Sequence, residues 1–238
     1  MYRLASGHRA AMQCTSQSDP IHARNFPVNP AEAVFRPASR TIFNTPLLSP
    51  ALRAVSRTMF RALGWRLDGL IPSDLRQAVV IGAPHTSNWD LPYALMAAFV
   101  MDRKLHWLGK AQIFRFPFAG LMRWMGGIPV DRSRSNNLVD AAVRCFADQR
   151  APLLLLVPPE GTRKEVERWK TGFYFIALGA EVPVVMAYMD HATRTCGVNR
   201  LFHPTGNLES DMIDIRAYYA PFKGWARRHE GERSPKSQ

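Results

Sequence analysis

From Gln77 onward the chain alternates short, continuously apolar runs with longer stretches of helical period. Residues 78–81, 105–108, 128–130, 153–157 and 182–188 are apolar on consecutive positions rather than every second one, the pattern of strands covered on both faces. Helical spacing fills residues 91–102, 116–125, 136–149, 171–179 and 208–219. Such alternation predicts an α/β fold: a largely parallel mixed sheet flanked by helices, with ligand chemistry gathered in the turns after the strands.

Ahead of this region, Leu52, Val55, Met59, Phe60 and Leu63 recur at helical spacing while Arg53, Arg57, Arg61 and Arg66 take other faces. An amphipathic helix within 46–70 follows, either packed on the domain core or lying apolar side down in a membrane interface. Residues 1–45 hold Pro20, Pro27, Pro30 and Pro37, only Asp19 and Glu32 as acids, and no hydrophobic period. They read as a mostly disordered extension. The stretch shares its acid-poor, arginine-bearing character with an organelle transit peptide, and equally fits an initiation codon assigned too far upstream. The domain is accordingly expected over 46–222, with a polar tail at 223–238.

Charge narrows the partners. Among 238 residues, 31 Lys and Arg against 19 Asp and Glu leave a net charge of +12, so an anionic partner is expected. No helix-turn-helix, RNA-recognition or zinc-finger pattern accompanies it, which argues against nucleic acid. Cys14, Cys145 and Cys196 make neither a disulfide framework nor a CxxC pair, and the latter two read as buried small hydrophobes. No apolar run approaches the roughly 20 residues that span a bilayer.

Chemistry-bearing residues fall in the turns. The first strand runs into Pro84-His85-Thr86-Ser87-Asn88-Trp89-Asp90. On an unbroken helix five positions turn by about 140°, so His85 and Asp90 meet only with the histidine in the turn and the aspartate in the first helical turn. Pro84 resists helix before it, and Ser87 with Asp90 three residues on reads as a capping box. An aspartate bonded to one ring nitrogen would fix the tautomer of His85 and raise its basicity, the base-plus-orienter pair of a triad, with the substrate supplying the hydroxyl. A solvated loop histidine and a capping acid would give the same hexapeptide.

Gly126-Gly127-Ile128-Pro129-Val130-Asp131-Arg132 puts an arginine past a short strand, suited to a phosphate or to a surface ion pair. Pro158-Pro159-Glu160-Gly161-Thr162-Arg163 follows the most apolar strand, where charges need a partner or a ligand. Glu160 could accept from a hydroxyl and Arg163 hold anionic oxygens, or the two could pair. Lys110 after Gly109 adds a possible cation, and the aromatic cluster Phe114-Arg115-Phe116-Pro117-Phe118 reads as core or as the lining of an acyl-chain slot. His106, His191 and His203 have no partner legible in the sequence.

In this order and spacing the segments resemble the glycerolipid acyltransferase family typified by 1-acylglycerol-3-phosphate O-acyltransferases. His85 to Asp90 matches its H-x4-D block, Gly127 to Arg132 its G-x-x-[FI]-[IV]-x-R block, Pro159 to Arg163 its P-E-G-T-R block, and Val182-Pro183-Val184 its V-P-[IV] block. The resemblance implies a glycerol-3-phosphate acyltransferase-like fold, with His85 as general base oriented by Asp90. It places Arg132, Glu160, Gly161, Thr162 and Arg163 on the substrate, and Lys110, Gly127 and Pro183 as possible phosphate or acyl contacts. Neither metal nor bound cofactor is implied; acyl-CoA or an acyl carrier protein thioester would be the co-substrate. The acceptor would be a lysophospholipid or glycerol-phosphate compound, 1-acylglycerol-3-phosphate favoured, in phospholipid biosynthesis. The enzyme would sit in the cytoplasm, peripheral to the inner face of an anionic membrane. Pro129 and Pro158, which depart from the family's usual residues, leave other lysolipid or amino-lipid acceptors as alternatives. An acyl-thioester hydrolase or a non-catalytic lipid-binding protein is the alternative of another class.

Overall fold

The computed structural model describes residues 35–130, 135–148, 151–161 and 168–222. In chain order they form helix α1 (Leu48–Ala62), strands β1 (Arg66–Asp68) and β2 (Gln77–Ala83), α2 (Asp90–Val100), β3 (Leu105–Lys110) and a 3-10 turn (Ala111–Phe114). After these come α3 (Ala119–Trp124), β4 (Gly127–Val130), α4 (Ser135–Asp148), β5 (Leu153–Leu156), α5 (Gly172–Gly179), β6 (Val184–Asp190), β7 (Thr195–Phe202) and α6 (Leu208–Tyr219). The strands make one seven-stranded sheet in the order β1-β7-β6-β2-β5-β3-β4. Strands β4, β3, β5, β2 and β6 run parallel, β7 is antiparallel to β6, and β1 is parallel to β7. The mixed, mostly parallel sheet is the one the apolar runs predict.

Continuous apolarity is explained by two cores, because successive side chains of a strand point to opposite faces. Val79 and Ile81 of β2, Leu153 and Leu155 of β5 and Val184 and Met186 of β6 meet α4, α5 and α6 on one side. Ala78, Val80, Leu154 and Val185 take the other, against Ala98 of α2. All five parallel strands therefore deliver their following turns to one edge, where His85, Lys110, Glu160 and His191 lie.

Three expectations shift. The helix assigned to 46–70 ends at Ala62, and Arg66 opens β1 instead. Strands β1 and β7 carry no apolar run: Arg66-Leu67-Asp68 is held by its parallel ladder on Thr195–Gly197, where Gly197 has room for nothing larger. The domain also starts before residue 46. Phe35 and Ile42 are buried at 5% and 6% exposure, and the Ile42 amide donates to the Trp124 carbonyl at 2.9 Å. That segment takes its order from tertiary partners, which its own periodicity does not announce. Residues 1–34 and the tail at 223–238 lie outside the described residues.

Helix α1 divides its apolar residues between two faces. Ser49, Ser56 and Phe60 are buried, whereas Val55, Met59 and, just past its end, Leu63 are exposed. Among the described residues no helix is long and apolar enough to cross a membrane.

Candidate active site

His85 and Asp90 meet. Strand β2 ends at Ala83, His85 sits in the turn, and Asp90 is the first residue of α2, so the two side chains escape the divergence an unbroken helix would impose. His85 Nδ1 lies 3.0 Å from Asp90 Oδ2, with the imidazole 28% exposed and the carboxylate nearly enclosed. The capping box survives in half. Trp89 rather than Ser87 flanks the helix, but Asp90 reaches back so that its Oδ2 accepts from the Thr86 and Ser87 amides, both at 2.8 Å. The Trp89 amide donates to Ser87 Oγ and the Asp90 amide to the Ser87 carbonyl, so the amides just past His85 already have acceptors.

Electrostatics fix the charge on Asp90. Burial, the largest single influence on Asp90, raises its pKa, yet hydrogen bonds from His191, His85 and the Ser87 backbone outweigh it. The carboxyl is held well below the usual range and is ionised at neutral pH. The contact with an ionised carboxylate calls for an N–H donor at His85 Nδ1.

Glu160 joins from the turn after β5: its Oε2 accepts the His85 amide at 3.1 Å. Burial raises its pKa, partly offset by that amide and by the His85 side chain. Gly161 has a φ of +64° and lies against the Lys170 side chain, whose amide donates to the Pro159 carbonyl at 2.8 Å. A side chain at Gly161 would therefore meet both backbone strain and Lys170. Lys170 is a cation beside this turn that sequence spacing did not single out.

A cavity of about 550 Å³ opens at the pair. His85, Asp90, Lys110 and Gly161 line its polar end. Its walls are one stripe of α2 (Leu91, Ala94, Ala98) with Met101 just past its end, facing Val80 and Leu105 of the sheet. Leu91 to Met101 spans about 15 Å at the helical rise, so the cavity is a long slot.

The remaining expected contacts divide. Lys110 and Gly161 line the cavity. Gly127 does not: a Cβ there would lie 2.7 Å from the Met122 carbonyl and against Phe114 and Trp107, so this glycine serves packing of β4. Pro183 precedes β6 and gives its carbonyl to Val79, at the sheet edge opposite the site. The aromatic cluster splits too, since Phe114 packs on Trp107 while Phe116 is 97% exposed. Arg132, Thr162 and Arg163 lie outside the described residues, although β4 delivers the chain at Val130 to the site's edge. Sequence reasoning missed His191, which follows β6 and bonds the second oxygen of Asp90. Among the described residues no group of three or more His, Cys, Asp or Glu is placed to hold a metal ion.

Fold and site together define an α/β protein with a histidine–aspartate pair lining a cavity at the ends of its parallel strands. The acyltransferase family model matches residues 68–190, and the chain belongs to that family. It is 27% identical over 126 residues to the 1-acyl-sn-glycerol-3-phosphate acyltransferase of Salmonella typhimurium, covering 50% of this chain and 49% of that one. To the Escherichia coli protein of the same name it is 25% identical over 144 residues, 57% of each chain. The chain thus spans about half the length of the curated relatives it matches. Its fold is similar to the crystal structure of the 1-acyl-sn-glycerophosphate (LPA) acyltransferase PlsC from Thermotoga maritima, with a TM-score of 0.52 at 15% identity, over 74% of this chain and 81% of that one.

Proposed function

We propose that this protein transfers a fatty acyl group from a thioester on coenzyme A or acyl carrier protein to a hydroxyl of a glycerol-phosphate-type acceptor, 1-acylglycerol-3-phosphate by preference. One observation carries the reading: the 3.0 Å His85–Asp90 contact at the polar end of a 550 Å³ apolar slot. With Asp90 ionised and Nδ1 protonated, His85 Nε2 takes the acceptor's hydroxyl proton as its oxygen attacks the thioester carbonyl. Collapse of the tetrahedral adduct breaks the C–S bond, and the protonated Nε2 returns its proton to the departing thiolate. The acyl chain occupies the slot, each buried methylene contributing about 0.8 kcal/mol. Lys110, together with Arg132 and Arg163, holds the acceptor phosphate, and Glu160 fixes the turn carrying His85.

Peripheral docking on an anionic lipid surface belongs to the same reading. Leu47, Val55 and Met59 on and beside α1, Trp89 beside His85, and Phe116 and Phe118 beyond β3 are all exposed, with Arg57, Arg115 and Arg123 nearby in sequence. Apolar side chains among arginines suit a headgroup–acyl boundary.

The test is a labelled acyl thioester offered with a panel of lysolipids and glycerol 3-phosphate, products separated by mass. His85→Ala should lower transfer by about 10³-fold or more with the fold retained. Transfer within tenfold of wild type would refute the role of His85, and thioester consumed without an acylated lipid would point to hydrolysis.

A further inference from the structure

Asp90 carries two imidazoles, one on each oxygen. Oδ2 takes His85 Nδ1 at 3.0 Å together with the Thr86 and Ser87 amides, while Oδ1 takes His191 Nε2 at 3.2 Å. The histidines differ in surroundings. The His191 side chain is 8% exposed against 28% for His85, and only His85 lines the slot. Trp65 and Tyr93 present themselves to the His191 ring at interplanar angles of 90° and 83°, with centroids 5.1 and 5.9 Å away. His191 is thus buried, is not among the residues lining the slot, and touches Asp90, which is.

Such a contact has mechanical value. The terminal torsion of an aspartate is broad and roughly two-fold, so donors on one oxygen leave the carboxylate plane free to swing. A donor on the other oxygen, from a ring that is itself clamped, removes that freedom. Asp90 is ionised, so only a protonated Nε2 can satisfy this contact.

We propose that His191 is a positioning residue for acyl transfer: its Nε2–H holds Asp90 Oδ1 so that Oδ2 stays in line with His85 Nδ1. The inference rests on the acyl-transfer reading above. It assigns to the turn after β6 a role in the reaction, by way of a residue 101 positions from Asp90.

Two substitutions separate positioning from packing in the full-length chain. His191→Phe keeps an aromatic ring for Trp65 and Tyr93 but has no donor; His191→Gln keeps an N–H at similar reach but has no ring. Expected for His191→Phe is a kcat loss of about 10- to 100-fold with KM for donor and acceptor within about twofold. His191→Gln should stay within about fivefold of wild type. Wild-type kcat in the phenylalanine variant, or equal losses in both, would overturn the assignment, because a packing role predicts that the ring and not the donor rescues. Should His191→Phe fail to fold, nitrogen-15 NMR of the wild type decides: a proton on His191 Nε2 supports the proposal and a bare Nε2 overturns it. A parallel His85→Ala assay tells the two failures apart. Activity surviving there sinks the acyl-transfer mechanism, whereas its loss beside an unaffected His191→Phe sinks only the role of His191.

Discussion

His106 shows what burial, as the leading cause, does to an ionisable side chain in this protein. It is 2% exposed in β3, and its Nδ1 has no hydrogen-bond partner. Burial, reinforced by Lys104 and opposed by a hydrogen bond with the Gly126 backbone, pushes its pKa from 6.5 to about 4. The folded pKa lies below the unfolded one, so the unfolded chain binds the extra proton between those values and stability falls as pH drops through that window. A shift of this size amounts to about 3 kcal/mol lost once the pH is below 4. Urea melts at pH 7 and pH 4.5 should show most of this loss in the wild type, and His106→Leu should remove the greater part of it. An unchanged pH dependence in the variant would place the acid sensitivity elsewhere. Asp90 and His85, five residues apart, could be matched from their local sequence because a turn and a helix start bring them together. His191 could not, since only the placement of β6 beside β2 brings it to the same carboxylate.

At the scale of the element, α1 is where the hydrophobic pattern had two readings, and the fold separates them. Phe60, with Leu52 partly buried, faces the protein, while Val55 and Met59 face out. The two sets should respond oppositely. Phe60→Ala should destabilise the fold by about 3–5 kcal/mol, as buried aromatic truncations do. Val55→Asp with Met59→Asp should leave stability within about 0.5 kcal/mol per site yet abolish flotation with anionic vesicles at low salt. Equal flotation of the double variant and the wild type would remove α1 from the docking surface. Strands β2, β5 and β6 were legible because both their faces are buried, which forces unbroken apolar runs. Strands β1 and β7 were not, because they lie at one side of the sheet and β7 exposes Asn199, Arg200 and Leu201.

For the whole molecule, the parallel order of β4, β3, β5, β2 and β6 puts turns far apart in the sequence at one edge, and the apolar slot lies between that sheet and α2. Ala98, 6% exposed and deeper along α2 than Ala94, lines the slot. Ala98→Phe should therefore shorten it. The expected result is turnover of short acyl thioesters within a few-fold of wild type and a loss of about tenfold or more for long ones. Uniform loss across chain lengths would argue that the acyl group lies elsewhere. The net charge of +12 belongs to this scale as well: it favours an anionic partner in general and selects no orientation.

Local sequence determined the helices and strands β2 to β6, the turn that lets His85 reach Asp90, and the family. Each depends on neighbours within a few residues, where periodicity, proline and capping act. Tertiary structure decided what depends on residues brought together from far along the chain. The second imidazole on Asp90, the slot along α2, the burial of Phe35, Thr41 and Ile42 and the outward turn of Val55 and Met59 all arise when the sheet assembles. Strand order and helix packing set those contacts, and no short-range spacing encodes them.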